Sequence, residues 1–171
     1  ASGKFAGRDP VLARTDPRVF DANQNPLYET DWLKESIQHN LSQNHELGFT
    51  GGGNTSSYAV GLGYRDDEGL LLNSFLKRYS ARVSFDDQIK PWLKVGGTLS
   101  YNSQEENIVD QDYQVMRNIA EGLPFQPVRY ADGTFSKSND YPNVEAYWNP
   151  VHLLTDRKYI LKSQTTIGSI Y

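Results

Sequence analysis

Two stretches of alternating residues on either side of a glycine run constrain this fold more than any other feature. Within residues 41–50, apolar residues such as Leu47 and Phe49 alternate with small or polar ones, and the pattern returns within residues 57–65. The glycines and asparagine of residues 51–54 suit a tight turn, because they accept positive φ. The sequence therefore predicts an antiparallel β-hairpin.

The same period of two continues further along the chain. Residues 79–86 and 93–102 alternate around a short turn at 88–92, and a polar connection at 66–77 joins this hairpin to the first. We therefore predict four strands within residues 41–102, arranged as a meander.

The rest of the chain lacks this period over most of its length. Residues 1–40 read as irregular, with a short helix from Trp32 to about Asn40. Residues 103–157 are rich in Pro, Asn, Asp and Tyr and predict a long loop. Residues 158–171 are strand-like again. The expected fold is all-β: an antiparallel meander of about five strands, with a short helix before the first strand and one long loop.

Alternation alone fits both a soluble sandwich and an outer-membrane barrel, because each has one apolar and one polar face. Strand length favours the barrel: the runs approach the ~9–11 residues of a membrane-crossing strand, whereas soluble strands are usually ~5–6 residues long. Aromatic residues such as Tyr58, Tyr64 and Tyr101 bracket the apolar positions, as interfacial girdles do.

On the barrel interpretation, each strand divides into a lipid face and a lumen face. The residues predicted to face lipid are Leu47, Phe49, Tyr58, Val60, Leu62, Tyr64, Val83, Phe85, Val95 and Leu99. The charged residues predicted to face the lumen are Glu46, Arg65, Arg82, Asp86 and Lys94.

Composition excludes several other classes. The chain has 171 residues, a net charge of −4, 37% hydrophobic and 12% aromatic residues, and no cysteine. The acidic balance argues against a nucleic-acid partner, which would require a basic face. Without cysteine there is no disulfide framework and no thiolate metal site.

Several segments, taken in order, resemble the SusC/RagA-type TonB-dependent outer-membrane transporters. These are Thr30-Asp31-Trp32, Gln43-Asn44-His45-Glu46-Leu47, Tyr58 to Tyr64, Arg78 to Arg82 and Trp92 to Gly96. The resemblance covers residues 26–102 well and the last strand more loosely. It implies nutrient import of the Bacteroidetes type across the outer membrane of a Gram-negative bacterium, with oligosaccharide or peptide cargo.

The family also implies a plug, a segment that binds TonB and a barrel of ~22 strands, the size class with a plugged lumen. We therefore expect a fragment, in which residues 1–40 connect from the plug and the TonB-binding part is absent. Residues 41–102 would be the first four barrel strands, residues 103–157 a long extracellular loop and residues 158–171 an incomplete fifth strand. The implied partners are outer-membrane lipid and a SusD-like surface lipoprotein.

The long loop is the expected place for ligand contact, because its aromatic rings offer flat apolar surfaces beside polar side chains. The candidate substrate-binding residues are Tyr113, Arg129, Tyr130, Tyr141, Tyr147 and Trp148. The competing interpretation is that these aromatics pack the loop onto itself or onto a partner.

Nothing in the sequence indicates an enzyme, a cofactor or a metal site. His39, His45 and His152 are isolated and lack the spacing of a metal-binding motif. The alternative function is a soluble β-sandwich that binds carbohydrate through the aromatic loop. A β-rich hydrolase is a third option without an identifiable nucleophile.

Overall fold

The computed structural model describes residues 16–109, 115–137, 140 and 148–171. The chain divides into two compact units. We call His39–Ile108 together with Tyr159–Tyr171 the sheet unit, and Ala1–Gln38 together with Val109–Lys158 the loop unit.

The sheet unit is built from five strands. They are β1 (Gln43–Gly52), β2 (Ser56–Glu68), β3 (Phe75–Lys90), β4 (Leu93–Asn107) and β5 (Ile160–Ile170). The order in the sheet follows the order in the chain, and every pair of neighbours is antiparallel. The predicted antiparallel meander is confirmed. The sheet is not closed, because β1 and β5 form its two edges.

The first hairpin forms where the alternation predicts it, but its glycines serve a different purpose. Among the described glycines, only Gly133 has a positive φ, so the turn between β1 and β2 does not use the left-handed backbone conformation. Instead, a Cβ at Gly51 would collide with the Tyr58 ring, and one at Gly52 with the backbone of Ser56. Gly52 is therefore needed for close approach of the backbone, whereas at Gly51 the Tyr58 side chain would have to move.

The strand pairing extends beyond the alternating residues. Residues 103–107, which the sequence assigned to the long loop, form the end of β4 and pair with β3 and β5. That boundary was wrong because Ser103, Gln104, Glu105 and Glu106 are polar on both faces, so the backbone ladder continues where side-chain alternation gives no signal.

The loop unit contains three short helices among its described residues: α1 (Trp32–Ser36), α2 (Val115–Glu121) and α3 (Pro150–Asp156). Asp31 caps α1 by accepting a hydrogen bond from the Lys34 backbone N–H at 3.1 Å. The predicted extension of α1 to about Asn40 is wrong, because Ile37 is extended at φ −98° and ψ 152°. A short helix is stabilised mainly by packing, and the buried residues of α1 are Trp32 and Ser36.

A small core holds the loop unit together. Val19 and Phe20 are buried, and Tyr28, Phe125 and Tyr130 pack against them. The Trp32 side chain is 3% exposed, and its Nε1 donates to the Leu123 carbonyl at 3.0 Å. A Cβ on Gly122 would collide with the Trp32 ring.

A buried polar cluster complements this core. The Asn149 Nδ2 donates to the Val128 carbonyl at 2.8 Å and to Ser136 Oγ at 3.2 Å, while its Oδ1 accepts from the His152 N–H and caps α3. Gln126 also donates to Ser136 Oγ, at 3.1 Å. Since buried polar groups must be paired, this one asparagine fixes both the hairpin of residues 128–136 and the start of α3.

In the part of the chain that the structure describes, no helix is long and apolar enough to cross a membrane.

Candidate functional site

The register of the sheet separates its two faces completely. All ten residues predicted to face lipid lie on one face, which we call the apolar face: Leu47, Phe49, Tyr58, Val60, Leu62, Tyr64, Val83, Phe85, Val95 and Leu99. The five predicted lumen residues lie on the opposite, polar face: Glu46, Arg65, Arg82, Asp86 and Lys94. That one face meets lipid and the other a lumen remains a prediction.

The apolar face is uncovered within the described residues. Leu47 is 61% exposed and Leu99 is 55% exposed, although both lie well inside their strands. A contiguous apolar surface of this kind marks a protein or membrane contact.

The apolar face is banded along the strands. At the end of the strands where β2 leads into β3, His45, Tyr64 and Tyr79 stand side by side, with ring centroids 6.3 Å and 5.1 Å apart. The next row in register is charged: Lys77 lies 3.6 Å from Asp66, and Lys162 lies 3.1 Å from Glu105. Apolar residues thus give way first to aromatic and then to charged ones.

The polar face contains a shallow hollow of about 600 Å³. Gly48 and Gly61 pair directly across β1 and β2, and a Cβ on either would meet nothing within 4 Å. Arg78, which donates to Gln104 at 2.7 Å, and Arg82 line the hollow together with Glu46. The hollow can accept a chain or a ligand that carries hydrogen-bonding groups.

A second feature of the polar face lies towards the other end of the strands. Asp86 accepts hydrogen bonds from Lys94 at 2.9 Å and from the Tyr171 hydroxyl at 2.7 Å. These contacts tie β3 to its neighbour β4 and to the residue that follows β5.

The loop unit contains a cleft of about 540 Å³. One wall comes from residues 17–28 and includes Arg18, Leu27 and Tyr28. The other comes from the hairpin of residues 128–136 and the residues that follow it, including Tyr130 and Phe135. The turn of that hairpin is closed by the Tyr130 N–H to the Thr134 carbonyl at 2.9 Å, with Gly133 at φ +84°.

Arg18 links the two walls of the cleft. Its guanidinium bonds Asp16 at 2.7 Å and stands 4.9 Å from the centre of the Tyr130 ring. Hydrogen bonds from Arg18 lower the pKa of Asp16 below its ordinary value of 3.8, and the same contact raises the pKa of Arg18. This pair is therefore ionised near neutral pH.

The two carboxylates that line the cleft, those of Asp132 and Asp140, also accept hydrogen bonds. Asp140 accepts from the Tyr130 hydroxyl at 3.1 Å and from the Lys137 N–H at 2.7 Å. Asp132 accepts from the Thr134 hydroxyl at 2.7 Å, which lowers the pKa of Asp132 below 3.8.

The predicted substrate-binding residues only partly coincide with this cleft. Tyr130 lines it, whereas Arg129 lies over the Phe135 ring at 3.5 Å and donates to the Gly133 carbonyl at 2.7 Å. Trp148 is 52% exposed and does not line the cleft. The other three candidates, Tyr113, Tyr141 and Tyr147, lie outside the described residues.

Sequence reasoning missed Arg18, Tyr28 and Lys137. The sequence of residues 16–28 is irregular because it is rich in turn-forming residues. In one of these turns the Asp21 side chain accepts hydrogen bonds from the Asn23 and Asn25 N–H groups. No sequence signal connects Arg18 to Tyr130, which follows more than a hundred residues later.

The described residues contain no group of three or more His, Cys, Asp or Glu side chains that could hold a metal ion.

This chain is similar to proteins of known type. No family model matches the chain. The TonB-dependent receptor SusC of Bacteroides thetaiotaomicron is 25% identical over 131 residues, which is 74% of this chain and 12% of that protein. TonB-dependent receptors P26 and P3 of Formosa agariphila are 26% and 25% identical, over 80% and 83% of this chain.

A solved structure agrees with these relatives. The RagAB peptide transporter matches 73% of this chain with a TM-score of 0.57 and 25% identity. The resemblance to SusC/RagA-type TonB-dependent receptors is confirmed. The SusC/RagA-like chain spans 12–15% of the length of these proteins. Its open five-strand sheet matches part of a receptor structure.

Proposed function

We propose that this SusC/RagA-like chain is part of a TonB-dependent transporter that imports oligosaccharides or peptides across the outer membrane of a Gram-negative bacterium. The banded apolar face carries the proposal. On β3, roughly nine residues separate Lys77 from Asp87 on that face, with Tyr79, Val83 and Phe85 among them. This spacing equals the ~9–11 residues with which a tilted strand crosses a bilayer.

The same face argues against the soluble alternative. A β-sandwich needs a second sheet packed over its apolar face. The described residues form one sheet, and Leu62 on its apolar face is 47% exposed. We therefore prefer lipid as the environment of this face. A catalytic role has no support in the similarity to receptors and transporters.

We further propose that the loop unit lies outside the cell. In an antiparallel meander the connections alternate between the two ends, so residues before β1 join the same end as the connections 69–74 and 108–159. In bacterial barrels the longer loops are extracellular and the short turns periplasmic. Residues 16–38 share a core and hydrogen bonds with residues 115–137, such as the Thr30 N–H to the Pro124 carbonyl at 2.7 Å. They should therefore be extracellular too.

The partners of the proposed transporter are inferred from the receptor family. A SusD-like surface lipoprotein would contact the extracellular side, TonB would bind a segment beyond this chain, and a plug would occupy the polar face. The name of the RagAB structure, a peptide transporter, supports a nutrient of oligomeric type.

The test combines fractionation with surface labelling. The full-length protein should be recovered in the outer-membrane fraction. Asn23→Cys and Asn54→Cys should then be treated on intact cells with a membrane-impermeant maleimide, using the parent protein as the background. Both positions are exposed, and the chain itself has no cysteine.

We expect Asn23→Cys to react on intact cells and Asn54→Cys to react only after the outer membrane is permeabilised. Recovery of the protein in a soluble fraction would refute the transporter. The reverse labelling pattern in an outer-membrane protein would refute the sidedness alone.

A further inference from the structure

The loop unit's cleft combines apolar walls with charges of both signs. Tyr28 and Tyr130 supply two rings, and Leu27 adds an aliphatic surface that is 53% exposed. Phe135 contributes only its edge, because Arg129 and His152 stack on its faces at 3.5 Å and 4.5 Å. Binding pockets are built in this way, mostly apolar with a few placed polar groups. Every wall residue named here belongs to the loop unit.

Most polar side chains of the cleft are already hydrogen-bonded within the protein. Arg18 is bound to Asp16, Asp132 to Thr134, and Asp140 to both Tyr130 and Lys137. An oligosaccharide offers a hydroxyl group at nearly every carbon and needs a matching set of free donors and acceptors. This cleft is poorly supplied with them, so it suits a ligand that combines apolar surface with few polar groups.

The charges at the rim point to a ligand that carries both signs. The Lys137 ammonium is exposed and has no ion-pair partner among the described residues, while the carboxylates of Asp132 and Asp140 line the same cleft. A short peptide with free termini has a carboxylate for the lysine, an ammonium for the aspartates and side chains for the rings.

We propose that the cleft binds short peptides, with the terminal carboxylate at Lys137 and an apolar side chain against Leu27 and the aromatic rings. This proposal rests on the proposed function, because it names the cargo class of the same transporter. Unlike the proposed transport function, the peptide site depends on individual side chains of the loop unit.

The test measures peptide binding to the full-length protein purified in detergent, by fluorescence anisotropy. The probe is an Ala-Lys-Leu-Leu peptide labelled on the lysine side chain, so that both of its termini stay free. It is compared with its C-terminal amide and with a labelled maltotriose. Four variants are compared: Lys137→Gln and Leu27→Ser within the cleft, and Lys34→Gln and Leu33→Ser outside it. Leu33 matches Leu27 at 53% exposure, and Lys34 is an exposed lysine on α1.

We expect Lys137→Gln to weaken binding of the free-acid peptide by about two- to fivefold, the range of an exposed ion pair. Binding of the amide should not respond to that substitution. Leu27→Ser should weaken both peptides by about three- to tenfold through lost apolar contact. Lys34→Gln and Leu33→Ser should leave both affinities unchanged.

Three results would overturn the proposal: no binding of either peptide, equal effects inside and outside the cleft, or tight binding of maltotriose that Leu27→Ser weakens. Each of these is compatible with a protein that fractionates with the outer membrane and labels as predicted. Failure of the peptide site is therefore distinguishable from failure of the transporter.

Discussion

The two units of this chain place their hydrophobic residues in opposite ways. In the loop unit, Val19, Trp32, Ile119 and Leu153 are buried although nothing in the sequence around them is periodic. In the sheet unit the hydrophobic pattern is regular, yet Leu47 remains 61% exposed. A regular hydrophobic pattern therefore indicates an element with two different faces, but it does not identify the medium that the apolar face contacts. The loop unit provides its own core, whereas the apolar face of the sheet unit is uncovered within the described residues.

The largest expected effect concerns the internal core of the loop unit. Trp32→Ala should destabilise this unit by about 3–5 kcal/mol, because it removes a buried ring and its hydrogen bond to Leu123. Hydrogen exchange measured by mass spectrometry on the full-length protein should show faster exchange of amides in residues 115–137. Trp148→Ala, at a ring that is 52% exposed, is the matched control. Similar exchange in both variants would contradict the assigned core.

A slightly smaller effect should reveal the environment of the sheet unit. Leu62→Arg on the apolar face should destabilise the full-length protein refolded into lipid by about 2–4 kcal/mol, the cost of an arginine at the bilayer midplane. The free energy of unfolding in guanidinium chloride provides the measurement. Ala59→Arg places the same side chain on the polar face of the same strand and should be much better tolerated. Equal losses at the two positions would argue against a lipid-facing surface.

The smallest effect is the pH dependence of the loop unit. Hydrogen bonds from Arg18 lower the pKa of Asp16 below 3.8, so the stabilisation is present above pH 3.8 and is lost as the pH falls through the lower folded-state pKa. Because Arg18 is half exposed, the contribution is at most about 1 kcal/mol. Hydrogen exchange of residues 16–28 should differ between the parent protein and Asp16→Asn at neutral pH and converge as the pH falls through the lowered pKa of Asp16. A difference that persists in acid would contradict this assignment.

The sheet could be predicted from the sequence because the residues that define each strand and its partner lie close together in the chain. Tyr58, Val60 and Leu62 alternate within one strand, and their partners Phe85, Val83 and Ala81 follow after a single connection. Once the turns are located, the antiparallel register follows. The resemblance to TonB-dependent receptors rests on the same region.

The parts that could not be predicted depend on contacts distant in sequence or on the backbone alone. Helix α1 ends at Ser36 because the backbone is extended from Ile37, which the residues of the helix do not reveal. The last residues of β4 have no alternating apolar pattern. They belong to the strand because their backbone pairs with β3, as Glu105 does with Lys77. In the cleft, Arg18 lies beside Tyr130, far away in sequence. Asn149 caps α3 and also donates to the distant Val128 carbonyl, which no local pattern indicates.

The charged row at the end of the apolar face has a consequence for the membrane in which the proposed barrel would lie. On β3, Lys77 and Asp87 are separated by about ten residue steps, or about 34 Å of strand at ~3.4 Å per residue. At a strand tilt of ~40° this corresponds to a hydrophobic thickness of about 26 Å. That value fits the bacterial outer membrane, which is thinner than most bilayers. In the proposed barrel, Lys77 and Asp87 would mark the two borders of the apolar band and so set the depth of the protein in the bilayer. A thicker bilayer would have to thin locally around it.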